Sequence, residues 1–162
     1  MKKYRGYLIL INLVVLLLYF NYSVYKKEQL SDDGKLILLE LAPVDPRSLM
    51  QGDYMDLRYA IAQYDGDKEP PKKGFCVVKI DKDNVAKALR FQKNKTPLAK
   101  EEFLIEYQAS SRYSIKIGAE SYFFQEGHAE RYEKAKYGGL KIDDEGNSLL
   151  IGLFDESKKL IQ

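Results

Sequence analysis

The sequence predicts a mainly β domain with one short helix, folded as an antiparallel curled sheet or small barrel and preceded by an N-terminal transmembrane helix. Three observations carry this reading. Residues 7–20 form an apolar run flanked by tyrosines. From residue 35 onward, short apolar or alternating runs recur between clusters of Gly, Pro, Asn and Asp, which is the pattern of strands and turns. Only residues 128–136 place charges at helical spacing instead. With 162 residues, 45 % hydrophobic and 31 % charged, the chain suffices for one folded domain and a short appendage, and its composition is not that of a disordered polymer. The expected organisation is an anchor over 1–27, a linker over 28–34 and an extracytoplasmic β domain over 35–162.

The apolar run, extended by Tyr4, Tyr22 and Tyr25, reaches about 20 residues, the length that crosses a bilayer core. Tyrosines at both ends suit the two headgroup layers, and Asn12 is a single polar interruption. Lys2, Lys3 and Arg5 favour a cytoplasmic N-terminus; Lys26 and Lys27 weaken that bias without reversing it. The stretch from Asn21 to Tyr25 offers no small-residue cleavage site, so an uncleaved signal anchor is expected. The domain would then face the extracytoplasmic, periplasmic side. Residues 1–27 hold five basic residues and no acidic one, leaving 21 basic against 24 acidic residues beyond them. A mildly acidic domain is a poor nucleic-acid binder, because that affinity comes from neutralising phosphates.

Residues 31–34 make a polar break. Residues 35–41 read as a buried strand stopped by Pro43 and Pro46. A second strand is expected from Tyr54 to Ala62, then a charged loop over 65–74. Residues 74–81 and 85–92 predict a hairpin turning at residues 81–84, whose aspartates are turn chemistry rather than a metal site. Residues 103–107 and 111–118 add strands, the second with Tyr113, Ile115 and Ile117 on one face. The helix over 128–136 pairs Glu130 with Lys134 and is expected to stop at Gly138 and Gly139. Residues 140–142 and 148–154 form a closing hairpin about residues 143–147.

The stretch from Gly52 to Tyr59 is the most specific in the chain. Gly52, Asp53, Tyr54, Leu57 and Tyr59 match the motif that names the bacterial GDYXXLXY family, and Asp45, Pro46, Arg47, Ser48 and Leu49 resemble the family's approach to it. A second block is similar to the family's pattern of an Ile-Gly, a Glu, a Tyr-Phe pair and a Glu-Gly: Ile117, Gly118, Glu120, Tyr122, Phe123, Glu126 and Gly127. Ala119, Ser121, Phe124 and Gln125 depart from its usual residues. The resemblance spans about residues 36–154. It implies an envelope protein held by an N-terminal helix, often alongside multi-pass membrane proteins, with no known reaction and no catalytic residue to carry over.

Alternation along the motif strand puts Tyr54, Asp56 and Arg58 on one face and Met55, Leu57 and Tyr59 on the other. Asp53 and Asp56 therefore cannot form a carboxylate dyad. Asp53 reads as a turn cap beside Gly52, Asp56 and Arg58 as a surface ion pair, and Leu57 and Tyr59 as core, with a buried Tyr59 hydroxyl needing a partner. Asp53, Tyr54, Arg58, Glu120 and Glu126 are the candidate binding residues. Cys76, the only cysteine, lies in an apolar run and reads as core; His128, the only histidine, reads as a surface helix residue. Without further soft ligands no metal site is expected, and no cofactor. Expected partners are the membrane and a multi-pass membrane protein; the expected role is a protein-binding or structural module.

The alternative is a serine hydrolase on a signal-peptidase-like scaffold. Residues 48–53 resemble the Thr-Leu-x-x-Gly-Asp segment of type I signal peptidases, but Val44 occupies the position of their nucleophilic serine. Ser48 would need Lys79 or Lys116 as a desolvated neutral base, and both alternate with apolar residues as water-facing side chains do.

Overall fold

The computed structural model describes residues 4–42, 50–51, 54–62, 70–111, 114–125 and 127–161. Helix α1 runs from Arg5 to Asp33, 29 residues, or about 43 Å at the α-helical rise. It is long and apolar enough to cross a membrane, and its apolar window is wholly exposed. An apolar window exposed on all sides is compatible with an apolar surrounding. The helix continues without a break through residues 28–33, the stretch read as linker. Leu30 in its last turns is buried, and only Gly34 separates α1 from the first strand.

Among the described residues ten strands follow: β1 (Lys35–Glu40), β2 (Met50–Gln51), β3 (Tyr54–Asp56), β4 (Lys73–Ile80), β5 (Ala86–Gln92), β6 (Glu102–Ser111), β7 (Ser114–Lys116), β8 (Ser121–Phe123), β9 (Tyr137–Ile142) and β10 (Ser148–Phe154). They make three sheets, β1-β9-β10, β2-β3-β8 and β5-β4-β6-β7, with every strand pair antiparallel. The four-stranded sheet curls into a half-barrel. A parallel bridge between Leu38 and Val85 links its β5 side to β1, and the Glu106 N–H donates to the Gly146 carbonyl (2.8 Å), tying the β9–β10 turn to β6. A bridge between Leu41 and Tyr59 joins β1 to the small sheet. The shared core gathers Ile37, Leu39, Cys76, Val78, Ile105, Leu140 and Leu153, all fully buried.

Turn chemistry sets the hairpins. The Asp81 carboxylate accepts from the Asp83 and Val85 N–H groups, each at 2.9 Å, and Asp143 does the same for Glu145 and Asn147. Asp81 and Asp143 are thus engaged by the backbone of their own turns.

Three expectations change. The motif strand ends at Asp56 rather than Ala62: Leu57 N–H turns to the Glu120 carbonyl (2.6 Å), and residues Ala60–Ala62 form a 3-10 turn. The late helix α2 is only Ala129–Tyr132. Tyr132 is buried against the rings of Tyr122 (5.2 Å) and Phe124 (5.3 Å), and the chain then leaves the helix so that Lys136 N–H can reach the Phe154 carbonyl (2.8 Å). Glu130 and Lys134 therefore make no ion pair. Finally, Gly138 and Gly139 are not helix stops but buried residues within β9. Their missing side chains let the Tyr59 ring lie on Gly138, where a Cβ would stand 2.7 Å from Tyr59 Cε1, and let the Phe154 ring lie on Gly139. Glycine here serves close approach rather than a turn.

Candidate functional site

The stretch around β3 has two faces with different work. Inward, Met55, Leu57 and Tyr59 are buried. The Tyr59 hydroxyl donates to the Ala119 carbonyl at 2.7 Å, and both residues are nearly inaccessible. Burial, then the nearby Glu120 charge, raises the Tyr59 pKa, so the phenol stays a neutral donor. Glu120 Oε1 accepts from Ile117 N–H (2.5 Å) and Gly118 N–H (3.3 Å), closing a tight corner at Gly118, whose φ of +79° suits glycine. The inward face of the first block and the corner of the second are therefore one interlocked piece of core. One carboxylate oxygen of Glu120, a candidate binding residue, is engaged in building that corner.

Outward, the alternation holds: Tyr54, Asp56 and Arg58 are exposed. Tyr54 stands directly across from Phe123 on β8, with ring centroids 5.8 Å apart, and Asp56 across from Ser121. Phe123 is 74 % exposed, the largest value among the exposed apolar residues of the β domain. Asp56 and Arg58 do not form the expected ion pair; β3 ends at Asp56, and two exposed side chains gain little from pairing in water. Gly52, Asp53 and Glu126 lie outside the described residues, as do Val44 and Ser48. The outward face of β3 and β8 thus presents two aromatic rings with the Asp56 carboxylate farther along the strand, and Arg58 is exposed just past the end of β3. Sequence reasoning missed Phe123 as a surface residue; its signal is the pairing register with Tyr54, which no local pattern discloses.

The groups that could do chemistry are placed unfavourably for it. Cys76 is fully buried, and burial pushes its thiol up to about 12, so it is protonated and inert. Lys79 is exposed and points toward Glu101 (4.0 Å), and Lys116 is exposed. Both lie in water as the alternation predicts, without the desolvation a general base requires. His128 precedes α2 at its N-terminal boundary. Among the described residues no group of three or more His, Cys, Asp or Glu side chains could hold a metal ion.

A family model described as GDYXXLXY protein matches residues 16–153, which covers the end of α1 and nearly all of the β domain. No curated protein and no solved structure matches the chain.

Proposed function

The chain belongs to the GDYXXLXY family, and from that premise we propose that it is a single-pass, membrane-anchored domain on the extracytoplasmic, periplasmic side that docks another protein through the outer face of β3 and β8. The partner best suited to that geometry is a multi-pass membrane protein, brought alongside by the shared bilayer. One observation carries the reading: Phe123 stands 74 % exposed beside Tyr54. A large ring left in water with a polar border of Asp56 and Arg58 has the composition of an interface centre and rim, where aromatic and arginine side chains supply most of the binding energy. Lys2, Lys3 and Arg5 at the N-terminal end of α1 support that orientation.

A photo-crosslinking side chain introduced at position 123, in intact membranes, tests this. A discrete adduct at 123, absent when the probe sits at exposed position 87 on β5, is the expected result, and Tyr54→Ala should abolish it while leaving the fold intact. No adduct, or the same adducts from both positions, refutes the docking face. The hydrolase alternative gains nothing from the geometry, since Lys79 and Lys116, its candidate bases, are both exposed.

A further inference from the structure

A cleft of about 1250 Å³ separates the last turns of α1 from the curled sheet. Tyr19, Tyr22, Lys26, Leu30 and Asp33 line it from the helix, a spacing of three and four residues that marks one helix face. Its lining runs along the helix from Tyr22 to Leu30 and Gly34, about 12 Å between Tyr22 and Leu30. The opposite wall is a polar row: Lys73, Gln108 and Lys116 are direct neighbours in register across β4, β6 and β7. At ordinary strand spacing the two lysines start about 10 Å apart, close enough for both ammonium groups to reach one phosphate.

We infer that this cleft is a phospholipid-headgroup site that takes a zwitterionic ethanolamine-type headgroup, with Lys27, Lys73 and Lys116 on its phosphate. The inference rests on the anchored reading of α1. Tyrosine rings prefer the headgroup layer, so Tyr19 and Tyr22 set that end of the cleft at headgroup depth. Lysines elsewhere in the cleft are engaged: Lys26 lies over the Tyr22 ring (5.3 Å) and Lys35 over the Phe103 ring (3.9 Å). Lys27, Lys73 and Lys116 have no ion-pair partner among the described residues. The acids divide the same way. Asp143 is bound to Asn147 and to backbone N–H groups, and Glu145 pairs with Lys95. Asp33, Glu106 and Asp144 also line the cleft and remain available. Free lysines facing free carboxylates match a phosphate and a primary ammonium on one ligand. A quaternary choline offers no N–H to the carboxylates, and a glycerol headgroup no cation at all.

The test uses the full chain in nanodiscs of ethanolamine, choline or glycerol phospholipids with identical acyl chains, extracted into detergent and weighed by native mass spectrometry for retained lipid. Retention should favour ethanolamine lipid by about tenfold, the change that one hydrogen bond to a charged group supplies. Lys73→Ala with Lys116→Ala should lower retention of all three lipids, Glu106→Gln with Asp144→Asn should remove the preference for ethanolamine, and the paired arginine variant should keep phosphate binding. Circular dichroism establishes that these exposed changes leave the fold intact. Equal retention of the three lipids, retention unchanged in the alanine pair, or displacement of lipid by inorganic phosphate overturns the inference. Carbonate extraction separates the two levels. A chain released to the soluble fraction refutes the anchor and the site with it, whereas a chain that stays in membranes without lipid preference refutes the site alone.

Discussion

Replacing Tyr59 by Phe removes one oxygen atom and tests whether the inward half of the motif is structural. In the fold that oxygen donates at 2.7 Å to the Ala119 carbonyl, with Tyr59 1 % and Ala119 5 % exposed, so water cannot take its place. Leaving a buried carbonyl without its donor costs about 1–3 kcal/mol. For a domain of this size that is a fall in Tm of roughly 4–12 °C. The contrast is Tyr54→Phe, five residues away in the same motif: Tyr54 is exposed, and its change should stay within about 0.5 kcal/mol. Urea unfolding of the full chain in detergent, followed by near-ultraviolet circular dichroism, reads both, since 13 tyrosines and no tryptophan supply the signal. The pH dependence adds a sign. Because the folded pKa of Tyr59 lies above its ordinary value of 10.0, the folded state keeps a proton that the unfolded chain gives up. The stabilisation is complete below pH 10 and is lost as pH rises, so the gap between the wild type and Tyr59→Phe should narrow in alkali. A Tyr59→Phe loss under about 0.5 kcal/mol, or an equal loss from Tyr54→Phe, would refute the assignment of the two faces.

Gly139→Ala would drive a methyl into the Phe154 ring, an overpacking that costs about 1–3 kcal/mol; a lower urea midpoint, partly restored by adding Phe154→Leu, is the expected result. Glu102 is held at about 2, first by its bidentate hydrogen bonds to Arg90 and then by the Ala99 N–H. Its folded pKa is lowered, so its contribution is present above the ordinary 4.5 and disappears as pH falls from there toward 2. Unfolding midpoints of the wild type and Arg90→Ala should therefore differ at neutral pH and converge in acid.

The hairpins could be read from the chain because their causes are local. Asp81 and Asp143 cap their own turns within four residues, and apolar runs such as residues 76–78 declare buried strands. The two faces of the motif could be read as well, because alternation is a property of any extended chain. What escaped the sequence was decided at a distance. Tyr132 ends α2 early because Tyr122 and Phe124 hold its ring. Gly138 and Gly139 resemble breakers, yet the rings of Tyr59 and Phe154 need their bare backbones within a strand. Phe123 shows as a surface ring only after β8 pairs with β3, and Lys73 meets Lys116 only through the register of three strands. These outcomes depend on which segment lies beside which, and no window along the chain contains both partners.

The join between α1 and β1 gives the molecule a mechanical character. One residue, Gly34, lies between them, and Lys141 Nζ clamps it by donating to the Gly34 carbonyl (2.8 Å) and, at longer range, to that of Asp32 (3.4 Å). A helix so joined is a crankshaft rather than a tether. Turning α1 about its axis by a single residue's worth, about 100°, would swing the face bearing Tyr54 and Phe123 through the same arc. Whatever fixed the rotation of α1 would thereby decide in which direction that face looks.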